Sequence, residues 1–205
     1  MLKVSNKIFL FLILFLNLNL NLICQIQDKS IIQNNTFQSS ALPESSIYNL
    51  ENNWLDQEKS NFKLKEFRGK AIVITMIYTT CKFSCPVTLA FLRNIEKQLD
   101  KSTLSNMMFV LVSMDPENDN PEKLKNFLKE NELSPNNWKL LTSSEDDITE
   151  LASTIGFKFK KISDKDYAHS NIITILDKNG VVVNQIEGLN DENNGLKNSI
   201  IEISK

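Results

Sequence analysis

The sequence predicts an α/β fold in which helices cover a central sheet. Three observations predict it: two long apolar runs rich in β-branched residues (71–78 and 107–114), helical patterns between and after them, and a pair of turn-linked apolar segments near the C-terminus. Runs of this kind are typical of strands buried on both faces. The 205 residues, 41% hydrophobic and 23% charged, suffice for one globular domain with its own core.

Residues 1–24 are predicted to be a secretory signal peptide or an N-terminal membrane anchor. Two lysines precede the apolar run "IFLFLILFL" (8–16), which is shorter than the about 20 residues of a membrane-spanning helix. The first arginine is Arg68, which disfavours a mitochondrial transit peptide. Cleavage, lipidation at Cys24 and retention as an anchor all remain open. We therefore predict export, to the periplasm or the outer face of a bacterial cell membrane.

Residues 25–46 are predicted to be a flexible tether, because they are polar, rich in Ser, Asn and Gln, and show no period. The folded domain is predicted to cover residues 47–205. The net charge of −2 provides no electrostatic basis for binding nucleic acid. With the N-terminal apolar run, this organisation predicts a domain attached to a membrane through its N-terminus.

The first half of the domain is predicted to contain a hairpin and turn at 54–70, the buried strand 71–78, and a helix that runs to Leu99. Pro86 suits the first turn of that helix, because the N–H that proline lacks has no helical partner there. The second buried strand follows at 107–114. A further helix is predicted from about Asn120 to Asn131.

The second half begins with a helix at 143–156, which has a serine cap, an acidic first turn and a final glycine. Residues 170–188 are predicted to be two strands joined by a turn at 177–180, and a last helix covers 190–203. The order ββ-β-α-β-α-α-ββ-α fits a thioredoxin-like sheet with an added N-terminal hairpin.

Two of the three cysteines lie in the segment "YTTCKFSCP" (78–86), where the first buried strand turns into a helix. Cys81 and Cys85 are four residues apart, about one helical turn, so both sulfurs can face the same side. This spacing permits a disulfide or a shared metal ion, and soft sulfur ligands favour Cu(I) and also suit Zn(II). A helix N-terminus favours thiolate over thiol.

The only histidine, His169, precedes a predicted strand and is the candidate third ligand. From the residues alone, three interpretations of the cysteines stay open: a structural disulfide, a redox pair and a metal site. Asp115, at the end of the second buried strand, is a weaker candidate for lining the site, because an Asp-Pro pair also simply opens a turn. Phe83 and Ser84 are predicted to be loop residues that present a surface to a partner.

Four segments, in order and spacing, resemble the SCO/SenC family of copper-binding proteins. They are "YTTCKFSCP", "FVLVSMDPENDNPEKLKNFL", "NNWKLLT" and "DYAHSNIITILDKNGVV", and the resemblance covers roughly residues 48–190. It implies a thioredoxin fold that binds one copper ion, Cu(I) or Cu(II), through Cys81, Cys85 and His169. It further implies a metallochaperone that assists assembly of the copper centre of cytochrome c oxidase, with the copper-bearing subunit or another copper protein as partner.

Two positions depart from the pattern of that family. Lys82 stands where the family often has proline, and a cation beside Cys81 is expected to lower its thiol pKa. Ala168 stands where the family often has aspartate before the histidine, which removes a possible hydrogen-bond partner of His169. Neither change removes a ligand.

The alternative function is a thiol:disulfide oxidoreductase of the cell envelope, in which Cys81 and Cys85 are the redox-active pair. That activity needs no histidine, so His169 separates the two hypotheses. A peroxidase is a third and weaker hypothesis, because that chemistry needs an arginine near the reactive thiol and nothing in the sequence places Arg68 or Arg93 there. Whether the protein is an enzyme therefore depends on which use the cysteine pair has.

Overall fold

The computed structural model describes residues 41–164, 166–188 and 195–205. The predicted signal or anchor (1–24) and residues 25–40 of the predicted tether (25–46) lie outside the described residues. A compact unit covers Leu42–Lys205. Its N-terminal edge is fixed by Ser46, which caps a 3₁₀ turn at Ile47–Asn49, and by Ile47 and Tyr48, which are buried.

The strands and helices alternate along most of the chain. The strands are β1 (Trp54–Asp56), β2 (Asn61–Phe62), β3 (Ala71–Ile77), β4 (Met107–Ser113), β5 (Trp138–Thr142), β6 (Phe159–Ser163), β7 (Asp166–His169), β8 (Ile172–Leu176) and β9 (Val182–Glu187). The helices are α1 (Ser84–Lys97), α2 (Lys101–Ser105), α3 (Pro121–Glu130), α4 (Glu145–Thr154) and α5 (Gly195–Ile203). Within the described ranges, none of these helices is long and apolar enough to cross a membrane.

In the described part of the chain, seven strands form one mixed sheet in the order β2-β1-β5-β4-β3-β8-β9. The central strands β3, β4 and β5 are parallel, whereas β8 pairs antiparallel with β3. Every residue of β3 and β4 is buried, as their continuous apolar runs predict. This confirms an α/β fold with a central sheet, an added N-terminal hairpin and flanking helices.

Four elements of the structure were not predicted from the sequence. Strand β5 lies in the segment "NNWKLLT", which was assigned no structure, and the short helix α2 was also missed. Strands β6 and β7 form a separate antiparallel pair just before β8. They escaped prediction because β6 is almost entirely exposed and so carries no apolar pattern.

The functional region lies where β3 ends and α1 begins. Helix α1 starts at Ser84, earlier than predicted, so Cys85 and Pro86 belong to its first turn. The buried face of α1, formed by Leu89, Leu92 and Ile95, packs on the core and fixes the direction of the helix. The sequence that links a fully buried strand to this helix is therefore held at both ends.

Candidate metal centre

Cys81 lies in the turn before α1, with its sulfur directed at the start of that helix. Its Sγ accepts a hydrogen bond from the backbone N–H of Cys85 (3.4 Å) and lies 3.5 Å from the Ser84 hydroxyl. Burial alone would raise the pKa of Cys81, but hydrogen bonds from Ser84 and from backbone N–H groups of the first turn outweigh burial and lower it to about 6. A thiolate is thus favoured at neutral pH, as expected at a helix N-terminus.

Cys85 has the opposite environment, because it faces the core. Its residue is only 3% exposed, and burial raises the pKa of its thiol far above the usual range, with the neighbouring Cys81 sulfur adding to the effect. Both cysteines are free in the described part of the chain. The pair therefore consists of one partly exposed, acidic thiol and one buried thiol.

His169 is the last residue of β7 and lies opposite Phe159 in β6. Its ring stacks on Phe157, with the centroids 5.9 Å apart and the planes 13° apart. The ring of Tyr78 meets it edge-on at 6.1 Å. The Tyr78 hydroxyl donates to Asp166 (2.7 Å) at the other end of β7, so the strand that carries the histidine is tied to the end of β3.

The hydrogen bonds of His169 define which ring nitrogen carries no hydrogen. Nδ1 lies 2.8 Å from the carbonyl oxygen of Ser170, which can only accept, so Nδ1 carries the hydrogen. Nε2 of the neutral ring is then bare, with its lone pair directed towards the Ser84 hydroxyl at 3.0 Å. This is the tautomer in which Nε2 can bind a metal ion.

The structure brings the three predicted residues together. The two sulfurs and one ring nitrogen of His169 all lie within 4.8 Å of one another. Three ligands around one ion in a trigonal arrangement are about 3.8–4.0 Å apart, given bond lengths of about 2.0–2.3 Å for nitrogen and sulfur ligands of a comparable ion. The atoms of Cys81, Cys85 and His169 therefore need to approach by less than about 1 Å to share an ion.

Asp115 has a structural role instead of a place in this group. It is fully buried, and both of its carboxylate oxygens accept from Asn118 at 3.0 Å. One oxygen also accepts from the Tyr167 hydroxyl at 3.3 Å. Asp115 thus opens the turn after β4, as the Asp-Pro pair predicts, and supports the tyrosine that packs against Tyr78.

Asp119 is a residue that sequence reasoning missed. It is fully buried and accepts from the backbone N–H of Thr79 (2.9 Å), from the Thr79 hydroxyl and from the Ser113 hydroxyl (2.7 Å). These bonds anchor the turn between β3 and Cys81 to the end of β4. The available signal was a polar cluster directly after a buried strand, which was assigned only to the start of a helix.

Two expectations for neighbouring residues need correction, and a third is completed by the structure. The pKa of Cys81 is lowered as predicted, but the main lowering contributions come from Ser84 and the helix N–H groups, not from the exposed Lys82. Ser84 is not a loop residue: it is the first residue of α1 and lies between Cys81 and His169. With Ala168 in place of an acidic residue, the carbonyl of Ser170 holds Nδ1 instead.

Residues 43–202 match the protein-family model described as SCO1/SenC. The chain belongs to the SCO1/SenC family. The SCO1 protein homolog of Bacillus subtilis is 31% identical over 119 residues, which is 58% of this chain and 60% of that protein. The matched regions span only 60% to 63% of the length of four curated relatives.

Two solved structures place the SCO1/SenC chain among known folds. BsSco is 26% identical with a TM-score of 0.65, and the match covers 74% of this chain and 90% of BsSco. It is described as having a disulfide switch and as a member of the Sco family of cytochrome c oxidase assembly proteins. Bradyrhizobium japonicum ScoI, solved with copper bound, is 22% identical with a TM-score of 0.64, covering 74% and 96%. The second likeness shows the fold alone. Together they confirm the predicted thioredoxin-like architecture.

Proposed function

We propose that this protein is a copper metallochaperone that carries one copper ion on Cys81, Cys85 and His169. The observation that carries the proposal is that ligand atoms from two separate parts of the chain lie within 4.8 Å of one another. A dithiol alone would need only the cysteine turn. A histidine with a bare Nε2 beside the two sulfurs is what a metal site requires.

The chemistry of the ligand set supports copper as the cargo. Two sulfurs and one imidazole suit Cu(I) in a three-coordinate site, and the same set holds Cu(II) when a further ligand completes its geometry. Cys81 is favoured as a thiolate before any metal arrives, whereas the buried Cys85 must lose its proton as the metal binds. Membership of the SCO1/SenC family supports the same cargo.

We extend the proposal to the partner and the location of the protein. BsSco is described as belonging to a family of cytochrome c oxidase assembly proteins, and we assign delivery of copper to the copper-bearing subunit of that oxidase here. The apolar segment at residues 8–16 supports export and attachment to the outer face of the cell membrane through the N-terminus. The polar residues that follow this segment then connect it to the compact unit that begins at Leu42.

The thiol:disulfide reductase is the less favoured function. It would use the acidic Cys81 as nucleophile and Cys85 as the resolving thiol, but it gives no reason for His169 to lie within reach of both sulfurs. The peroxidase gains no support from Arg93, which pairs with Glu132 (3.2 Å).

The deciding experiment compares the full-length protein with its His169→Ala variant. Loss of a direct ligand is expected to weaken Cu(I) binding at least 10–100-fold, since loss of a group that only orients a ligand already costs that much. The rate at which the reduced protein reduces a small disulfide should change less than about threefold, because that rate depends on the two thiols. Lys160→Ala, at an exposed position on β6, is the matched control and should leave both values unchanged.

The same variants separate the functions in cells. A strain that carries only His169→Ala is expected to fail to load its oxidase under copper limitation, as a Cys81→Ala strain does. Full oxidase activity in the His169→Ala strain, with loss of activity in the Cys81→Ala strain, would refute copper delivery and favour the reductase.

A further inference from the structure

The hydroxyl of Ser84 lies between two proposed copper ligands that belong to different parts of the fold. Its Oγ is 3.5 Å from Sγ of Cys81, in the turn before α1, and 3.0 Å from Nε2 of His169, at the end of β7. Ser84 itself is the first residue of α1. One side chain thus connects the cysteine turn to a strand 85 residues away in sequence.

The direction of these hydrogen bonds follows from the atoms that can donate. Nδ1 of His169 donates to the Ser170 carbonyl, so Nε2 can only accept. The single hydrogen of the Ser84 hydroxyl can therefore be donated to Nε2 at 3.0 Å or to the Cys81 sulfur at 3.5 Å, where it stabilises the thiolate, and Nε2 is the nearer acceptor in the metal-free protein. The lone pair that would bind copper is occupied by Ser84 in the metal-free protein.

The other contacts of His169 leave Nε2 to Ser84. Phe157 fixes the plane of the ring by stacking, and Ser170 holds the opposite nitrogen. The ring of Tyr78 meets the His169 ring edge-on, and the Tyr78 hydroxyl donates its hydrogen bond to Asp166. Among the hydrogen bonds of the described residues, only the one with Ser84 both reaches Nε2 and joins His169 to the cysteine turn.

We propose that Ser84 is a positioning residue that holds His169 over the cysteine turn in the metal-free protein and releases Nε2 when copper arrives. On release, the Nε2 lone pair passes from the Ser84 hydrogen to the copper ion. The hydrogen stays on the serine oxygen and turns to the sulfur of Cys81, so the hydroxyl exchanges one acceptor for another. The second half of this inference rests on the proposed function, whereas the first concerns the metal-free protein alone.

The first test is nitrogen NMR of the His169 ring in the reduced, metal-free, full-length protein. Wild type is expected to show one tautomer, with hydrogen on Nδ1 and an Nε2 signal shifted by an accepted hydrogen bond. In Ser84→Ala, the Nε2 signal should move to the position of an unbonded nitrogen, while Nδ1 keeps its bond to Ser170. Ser84→Thr retains a hydroxyl and should restore the wild-type signal, which a merely space-filling role would not predict.

The second test measures Cu(I) affinity of the same three proteins. Ser84→Ala is expected to bind about fivefold more weakly, because His169 must then be ordered over the cysteine turn as copper binds, which costs about 1 kcal/mol, and Ser84→Thr should bind within about twofold of wild type. If wild type binds no Cu(I), the proposed function fails, but the NMR result still tests whether Ser84 positions His169 in the metal-free protein. An unbonded Nε2 in wild type, or an Nε2 signal that is the same in Ser84→Ala, would overturn the inference.

Discussion

Removing the carboxylate of Asp119 should damage both the stability of the domain and the candidate metal centre. The fully buried side chain accepts three hydrogen bonds, two from Thr79 and one from Ser113. Hydrogen bonds to a charged group contribute about 1.5–3 kcal/mol each, and a buried donor left without a partner costs about 1–3 kcal/mol. Since Thr79 is partly exposed and water can reach it, we expect Asp119→Ala to lower the free energy of unfolding by about 3–5 kcal/mol, which is less than the sum of three such bonds.

The isosteric variant Asp119→Asn should be much milder. An amide oxygen at the position of Oδ2 can still accept from the Thr79 N–H and from Ser113, and the amide nitrogen can donate to the Thr79 hydroxyl, which rotates to accept. We expect a loss of about 1–2 kcal/mol from the missing charge. Asn120→Ala is the control in the same turn: it removes the cap of α3, where Asn120 accepts from Lys123, and should cost about 1 kcal/mol without touching the cysteine turn.

The assay is urea unfolding of the reduced, metal-free protein, followed by Cu(I) titration of each variant under folding conditions. Thr79 precedes Cys81 by two residues, so its release in Asp119→Ala should also weaken copper binding, whereas Asn120→Ala should not. The reasoning is refuted if Asp119→Ala unfolds within 1 kcal/mol of wild type, or if it binds copper as tightly as Asn120→Ala.

Two further predictions concern thiol reactivity and the turn between β8 and β9. With a pKa of about 6, Cys81 in the metal-free protein should react with iodoacetamide about ten times faster at pH 7 than at pH 5, because its thiolate fraction is about tenfold lower at pH 5. The buried Cys85 should stay unmodified. Mass spectrometry of the peptides measures both rates, and a Cys81 rate that rises only above pH 8 contradicts the prediction. Gly180→Ala should destabilise the domain by about 2–4 kcal/mol in a denaturation experiment, because φ is +77° and a Cβ would lie 2.8 Å from the ring of Tyr48. Gly156→Ala, with φ +69° and no atom within 4 Å of the new Cβ, is its control at about 1 kcal/mol, and equal losses in both would disprove the steric argument.

The sequence predicted those parts of the fold whose signal is local. Strands β3 and β4 are continuous apolar runs, and burial on both faces is the reason that they are. Strand β6 was missed because an almost entirely exposed strand needs no apolar residues, and β7, with one buried residue in four, is too short to show a period. Hydrophobic periodicity in the sequence therefore predicts only those helices and strands that have a buried face.

The candidate ligands could be predicted because cysteine and histidine are rare in this chain and chemically distinctive. Their supporting residues could not, because serine, aspartate and phenylalanine are common and acquire a role only through tertiary placement. Ser84 matters because a strand 85 residues away ends beside it, and Asp119 because α3 begins next to Thr79. The cause assigned to the low pKa of Cys81 was wrong for the same reason, since adjacency in sequence identified Lys82 and the fold supplied Ser84.

The pairing of β8 with β3 has a consequence for the order of events during folding. Cys81 follows β3, and His169 precedes β8 by only three residues, so the thiols and the imidazole meet only when these two strands have paired across about 100 residues of chain. Contacts between such distant segments form late, since much of the chain must already be ordered before they close. Before these strands pair, the proposed site thus offers copper only Cys81 and Cys85, and all three ligands bind together only in molecules that have reached their native topology.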